Sequence, residues 1–145
     1  MKAIILGAIL CLAYLAWHKH TANVETAAVA AITDEHGFMQ LAPPQGVSTT
    51  EVVILAAQNC PREGAQRADR LAREMAARGF HFRRTSNASF SPSASDDIDA
   101  FVRRHNAVMN GEVPIVFVNG RVKANPDLDE VVAEYEDSAR KGMAE

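Results

Sequence analysis

Residues 113–124, "VPIVFVNGRVKA", form the stretch that decides the fold. Val113 to Val118 is a short apolar run rich in β-branched residues, which is typical of a buried strand. Asn119-Gly120 is the preferred two-residue turn of a β-hairpin, and Arg121 to Lys123 then returns as the partner strand. The stretch therefore predicts an antiparallel pair of strands.

Upstream of this hairpin, strand and helix patterns alternate. Glu51 to Ala57, "EVVILAA", predicts a first strand, and "FHFRRT", from Phe80, predicts a second. A helix is predicted between them, from about Pro61 to Arg78. Because a helix connects the two strands, they are expected to be parallel. The residues expected on the buried face of that helix are Ala65, Ala68, Leu71, Ala72, Met75 and Ala76.

Two further helices are predicted, one on each side of the hairpin. Ser95 is the expected N-cap of the first, and the second begins near Pro126. The inner side of the first is expected to carry Ile98, Phe101, Val102 and His105. The inner side of the second is expected to carry Leu128, Val131, Val132 and Tyr135. Residues 51–142 are thus predicted to form one α/β domain with the element order β-α-β-α-β-β-α.

The first fifty residues have a different character. Residues 3–17, "AIILGAILCLAYLAW", are uninterruptedly apolar, with a length between that of a signal-peptide core and that of a spanning helix. We interpret residues 1–20 as a membrane anchor that leaves the domain on the periplasmic or extracellular side. A signal sequence cleaved from a secreted domain is the second interpretation, and a buried helix of a soluble protein is the third. Residues 21–50, interrupted by Pro43-Pro44, are predicted to be a linker.

Composition and cysteine usage give no support to several classes of function. A formal net charge of -3 gives no reason to expect a nucleic-acid partner. Cys11 and Cys60 are the only cysteines, so neither a disulfide framework nor a zinc site with several thiolates is expected. No metal is predicted, and the oligomeric state stays open.

Three features in a fixed order carry a resemblance to a known family. Cys60-Pro61 directly follows the first strand, Val113-Pro114 opens the third, and the hairpin leads into a last amphipathic helix. In these respects the chain resembles the thioredoxin superfamily, and within it the glutaredoxins. The resemblance implies a thioredoxin-like sandwich with Cys60 as nucleophile and a cis-proline at Pro114 facing it. It also implies that Pro61, Arg62 and Val113 shape the site, with Arg62 favouring the thiolate.

The resemblance extends from residue 51 to about residue 140, with departures at the site. The motif reads Cys60-Pro61-Arg62-Glu63, so the second cysteine of dithiol members is absent and an intramolecular disulfide cycle is impossible. Ala57 and Glu112 replace a lysine and a threonine that glutaredoxins use for glutathione. Glu63 and Glu112 would also repel an anionic ligand. Glutathione is therefore a poorly supported ligand, and no other cofactor is expected.

Two functions of different classes follow. The first is thiol-disulfide exchange through Cys60 in a membrane-tethered monothiol protein, whose partner is a thiol- or disulfide-bearing protein or glutathione. The second is a binding module without catalysis that uses a groove at Pro114 for protein contacts. A small buried hydrophobe is the simplest alternative for a lone cysteine. Whether the protein is an enzyme stays open at this point.

Overall fold

A computed structural model describes residues 33–92 and 97–142. The strands are β1 (Met39–Gln40), β2 (Val52–Leu55), β3 (Phe82–Thr85), β4 (Ile115–Val118) and β5 (Arg121–Ala124). The helices in these ranges are α1 (Glu63–Ala77), α2 (Ile98–Met109) and α3 (Leu128–Gly142). The strands form one mixed five-stranded sheet in the order β1-β5-β4-β2-β3. The predicted α/β class and the predicted order of elements after residue 50 are confirmed.

Strand pairing follows the local sequence signals. Strands β2 and β3 are parallel, whereas β4 runs antiparallel to both β2 and β5. The turn between β4 and β5 has positive φ at Asn119 (48°) and Gly120 (77°), which is the left-handed pair that a type I′ hairpin requires. Both the parallel pair and the hairpin were predicted from the sequence, and both are present.

One face of the sheet carries α1 and α3. Alternate residues of the central strands point to this face because side chains change sides at every position of a strand. They pack against Ala68, Leu71 and Met75 of α1 and against Val131 of α3. The strand residues of this core cluster are Val52, Ile54, Val116 and Val118. The inner face predicted for α1 is mostly correct, except that Ala76 is exposed.

The opposite face of the sheet is covered by α2 and by the chain that follows β3. Phe117 points to this side, and the ring of Phe90 stacks on it at a centroid distance of 5.6 Å. The His105 ring meets Phe90 edge-on at 5.0 Å, and Phe101 is buried nearby on the same helix. The sheet is thus enclosed on both faces, as the apolar character of its central strands requires.

Residues 33–50 are part of the domain, whereas the sequence indicated a linker from residue 21 to residue 50. Strand β1 pairs with β5, and Phe38, Met39 and Leu41 are buried. The Asp34 carboxylate organises the preceding turn by accepting the backbone N–H groups of His36 and Phe38 at 2.9 and 2.8 Å. This turn places Phe38 in the core cluster.

The faces predicted for α2 and α3 need correction. Helix α2 begins at Ile98 with Asp97 as its N-cap, because the Asp97 carboxylate accepts the N–H groups of Asp99 and Ala100. Ser95, the predicted cap, lies outside the described residues. Ile98 and Val102 are exposed, whereas Phe101 and Val108 are the buried residues of the helix.

In α3 a charged residue takes the place of a predicted apolar one. Glu134 is only 2% exposed, whereas Tyr135 is 37% exposed and meets Phe80 edge-on. Glu134 is buried because it pairs with Arg121. The spacing of hydrophobic residues along a helix does not reveal such a pairing.

None of the helices in the described ranges combines the length and apolar character that crossing a membrane requires. Residues 3–17, the predicted anchor, lie outside the described residues, as does the rest of segment 1–32.

Candidate functional site

Strand order brings the two key motifs to one end of the sheet. Cys60 follows β2, and Pro114 immediately precedes β4. Because β2 and β4 are antiparallel neighbours, with Leu55 opposite Ile115, the end of one strand lies beside the start of the other. The Val113–Pro114 peptide bond is cis, as the resemblance to the glutaredoxins implied.

Cys60 lies in the loop ahead of α1 rather than in its first turn. Its thiol is free and half-buried. The helix begins at Glu63, and Arg62 is an extended N-cap whose carbonyl accepts the N–H groups of Ala65 and Gln66. Pro61 therefore precedes the helix, where the sequence placed it inside. The hydrogen-bond ladder of the helix starts at the Arg62 carbonyl, two residues after Cys60.

Arg62 has no ion pair or side-chain hydrogen bond to any residue that the structure describes, and its side chain is exposed. The predicted support for the Cys60 thiolate by Arg62 therefore stays a prediction.

Gly64 lets the first turn of α1 lie directly on the residue before the cis-proline. A Cβ atom at Gly64 would come within 3.0 Å of the Val113 Cβ and 3.1 Å of the Val113 carbonyl oxygen. Such distances are too short for an unshifted side chain. Sequence reasoning missed this position, because a lone glycine near the start of a helix does not reveal which residue approaches it.

Arg67 joins α1 to the cis-proline loop. Its guanidinium pairs with Glu63 at 2.9 Å and with Glu112 at 3.2 Å. It also donates twice to the Val113 carbonyl oxygen, at 3.0 and 3.2 Å. The two acids that the sequence presents as repelling an anion are therefore both paired with one cation. The Glu63–Arg67 spacing is a readable i,i+4 signal, but the contacts across to Glu112 and Val113 are not.

The loop before α3 completes the surroundings of Pro114. The Asn125 backbone N–H donates to the Pro114 carbonyl at 2.6 Å, and the Asn125 side chain donates to Glu112 at 3.1 Å. Asn125 takes a left-handed φ of 49°, which asparagine tolerates better than most residues. A cavity of about 250 Å³ opens here between α1 and the loop, and Pro114, Arg67, Arg70 and Asn125 contribute to its lining. Cys60 is not among its lining residues.

A second polar cluster lies where β5 meets α3 and the turn before β1. Arg121 contacts the carboxylates of both Asp34 and Glu134, the latter at 3.5 Å. Burial raises the pKa of Asp34, but hydrogen bonds from the Phe38 backbone, Glu134, Arg121 and the His36 backbone outweigh it. The pKa of Asp34 therefore lies below its ordinary value. This cluster was not visible in the sequence, because its members are far apart along the chain.

One group of side chains has the composition of a metal site. Ligand atoms of Glu35, His36 and Asp137 come within 4.8 Å of one another. Asp137 is also paired with Arg140 at 2.8 Å, and Glu35 is exposed. Ion pairing at the surface therefore explains why these side chains lie close together.

The described residues form an α/β domain with a mixed five-stranded sheet and three helices, an arrangement compatible with a thioredoxin-like fold. No protein-family model matches the chain, and no curated protein or solved structure matches it significantly.

Proposed function

We propose that this protein is a glutaredoxin-like monothiol protein that performs thiol-disulfide exchange through Cys60. The observation that carries the proposal is the antiparallel pairing of β2 with β4, which brings the Cys60 loop and the cis-proline at Pro114 to the same end of the sheet. The thiol there is free and half-buried. A free and accessible thiol is the minimum that exchange requires.

The chemistry needs a second thiol from outside the domain. The Cys60 thiolate attacks one sulfur of a partner's disulfide, so that a mixed disulfide forms and the other sulfur leaves as a thiolate. Glu63 stands where dithiol relatives of this fold carry their second cysteine. An external thiol must therefore attack the mixed disulfide, which releases the partner and regenerates Cys60.

Charge pairing at the site supports this proposal. A carboxylate near a thiolate disfavours the second negative charge. Arg67 lies between Glu63 and Glu112 and pairs with both, so one positive charge offsets part of the negative charge of the two acids. The same pairing weakens the sequence-based objection to an anionic ligand such as glutathione, although a protein disulfide remains the preferred partner class.

Residues 3–17 are proposed to hold the domain at a membrane, with the domain on the extracytoplasmic side. Disulfides persist in that kind of compartment, so a monothiol exchanger there would meet disulfide partners.

Trapping a mixed disulfide tests the proposal. The full chain with Cys11→Ser, purified in detergent, is incubated at neutral pH with oxidised glutathione or 2-hydroxyethyl disulfide and read by intact mass. We expect one adduct per chain on the native fold, released by an added thiol, because Cys60 is half-buried rather than sealed. Cys11→Ser with Cys60→Ser should form no adduct while keeping the same circular dichroism. An adduct that forms only after denaturation would contradict the proposal.

A second candidate function is binding without catalysis. One observation favours it: the cavity beside Pro114 does not include Cys60. In this alternative the cavity holds a side chain of an extended peptide, while Cys60 only fills space.

The binding alternative predicts a different mutational pattern. Arg70 lines the cavity and is exposed, so Arg70→Trp is expected to fill it, whereas Arg73→Trp on the same helix lies outside its lining. In selection from a random peptide library, the wild type and Arg73→Trp should enrich a common motif, and Arg70→Trp should lose it. Cys60→Ser should keep the motif. Enrichment of no motif by the wild type would contradict this alternative.

A further inference from the structure

A second and larger cavity lies at the opposite end of the sheet from Cys60. Strand β4 begins directly after Pro114 and ends directly before the Asn119-Gly120 turn, and this turn borders the cavity. The other walls are the chain from residue 40 to residue 49 and helix α2. Its volume is about 600 Å³, which lies in the range of small-molecule sites. Its position makes it independent of the proposed thiol chemistry.

The charges that the described residues bring to this cavity are all positive. Among these residues Arg104 and Arg121 contribute to the lining, and no aspartate or glutamate does. Arg121 is already paired with Asp34 and Glu134. Arg104 has no ion pair or hydrogen bond to any of the described residues, and its Nε is fully enclosed without a partner. The cavity therefore contains one uncompensated guanidinium.

An enclosed N–H group without an acceptor is rare in folded proteins, because its desolvation is not offset. Water or a ligand oxygen normally satisfies such a group. The guanidinium of Arg104 also presents a planar fork of donors that fits the two oxygens of a carboxylate. The enclosed Nε–H and the lack of an acidic partner among the described residues thus leave the Arg104 guanidinium without a compensating anion.

We propose that this cavity binds a small organic monocarboxylate. Arg104 holds the carboxylate, and the apolar part of the ligand lies against Leu41, Pro43 and Phe101, which line the same space. One uncompensated guanidinium balances one negative charge, so a monocarboxylate fits better than a phosphate monoester, which carries roughly -1.5 to -2 at neutral pH. Thr49 and Asn119 provide polar groups at the rim for orientation.

Phenylacetate is the probe that tests this site, with the neutral phenylacetamide as its control. The full chain, labelled with ¹⁵N-arginine in detergent micelles, is titrated with each while the arginine Nε–Hε resonances are followed. We expect phenylacetate to shift the Arg104 resonance saturably and phenylacetamide to leave it unmoved. Arg104→Gln should weaken binding at least about tenfold, whereas Arg103→Gln, an exposed neighbour, should bind like the wild type.

Further outcomes separate binding from a structural role. Without ligand, Arg104→Gln should unfold at the same temperature as the wild type or higher, because the orphaned donor is removed. Arg104→Lys keeps the charge without the fork and should bind with intermediate affinity. The proposal is overturned if Arg104→Gln lowers the unfolding temperature, or if Arg103→Gln loses binding equally. It is also overturned if inorganic phosphate binds as tightly as phenylacetate, because the apolar walls would then contribute nothing.

Discussion

Replacing Phe38 with alanine is expected to destabilise the domain by about 3–5 kcal/mol, the usual cost of truncating a fully buried aromatic ring. Phe38 is 0% exposed and belongs to the core cluster with Ile54 and Val118. Truncation leaves a cavity that the sheet cannot close easily, because β1 is held by its pairing with β5. Urea unfolding of the full chain, followed by far-ultraviolet circular dichroism, measures the change.

Gln40→Ala provides the matched control on the same short strand. Gln40 is exposed, so the change should alter the free energy of unfolding by less than about 0.5 kcal/mol. A chain that starts at residue 51 should lose stability at least as much as Phe38→Ala, because it lacks β1 altogether. If Phe38→Ala and Gln40→Ala changed the free energy of unfolding equally little, Phe38 would not be packed in the core. Residues 33–50 would then be the linker that the sequence indicates.

What the sequence predicted correctly depends on short-range signals. The Asn119-Gly120 turn needs only its two left-handed residues. The spacing of apolar residues indicates the helix between β2 and β3, and the parallel pairing of those strands then follows from the helical connection. The cis peptide bond at Pro114 was expected from a resemblance and agrees with the structure.

What the sequence missed depends on partners far along the chain. Strand β1 is two residues long, and Met39 pairs with Val122, more than eighty residues away. Nothing within the segment distinguishes such a strand from a linker. The burial of Glu134 is a similar case, since a glutamate between Val131 and Tyr135 indicates the polar side of a helix until its partners are known.

The candidate site shows the same division. Cys60 and Pro114 are recognisable from their motifs, but the groups that determine their environment are not. Gly64 and Arg67 meet Val113 only because α1 folds back across the start of β4. For this reason Glu63 and Glu112 alone do not determine the charge at the site, because Arg67 offsets part of their negative charge.

The second large effect is expected at Arg121. Arg121→Met removes the cation that faces Asp34 and its hydrogen-bond partner Glu134, whose side chains are 16% and 3% exposed. Removing one partner of a buried ion pair leaves a charge without compensation, so we expect a loss of roughly 3 kcal/mol, the lower end of the usual range because Arg121 is itself partly exposed. Arg83→Met is the matched control: Arg83 pairs with Glu51 at the surface, and its loss should cost less than about 1 kcal/mol.

Coupling to Asp34 distinguishes a charge effect from simple loss of packing. In Arg121→Met with Asp34→Asn, the negative charge that Arg121 balances is gone, and the amide oxygen can still accept the backbone N–H groups of His36 and Phe38. The double variant should therefore regain more than half of the lost stability. If the effects of the two changes on stability were additive instead, the Arg121 side chain would stabilise the fold by packing alone, and its ion pairs would contribute nothing.

The pH dependence of the Arg121→Met effect follows from the lowered pKa of Asp34. A carboxyl group whose pKa is lower in the folded state stabilises the fold above its unfolded value of about 3.9 and loses this contribution as pH falls through the folded value. Arg121 is one cause of that lowering, so its removal shrinks the contribution. The stability gap between wild type and Arg121→Met should then be largest near pH 7 and should narrow below about pH 4, as the carboxylates are neutralised. A gap that stays constant from pH 7 to pH 3 in urea unfolding would mean that Arg121 acts without its charge.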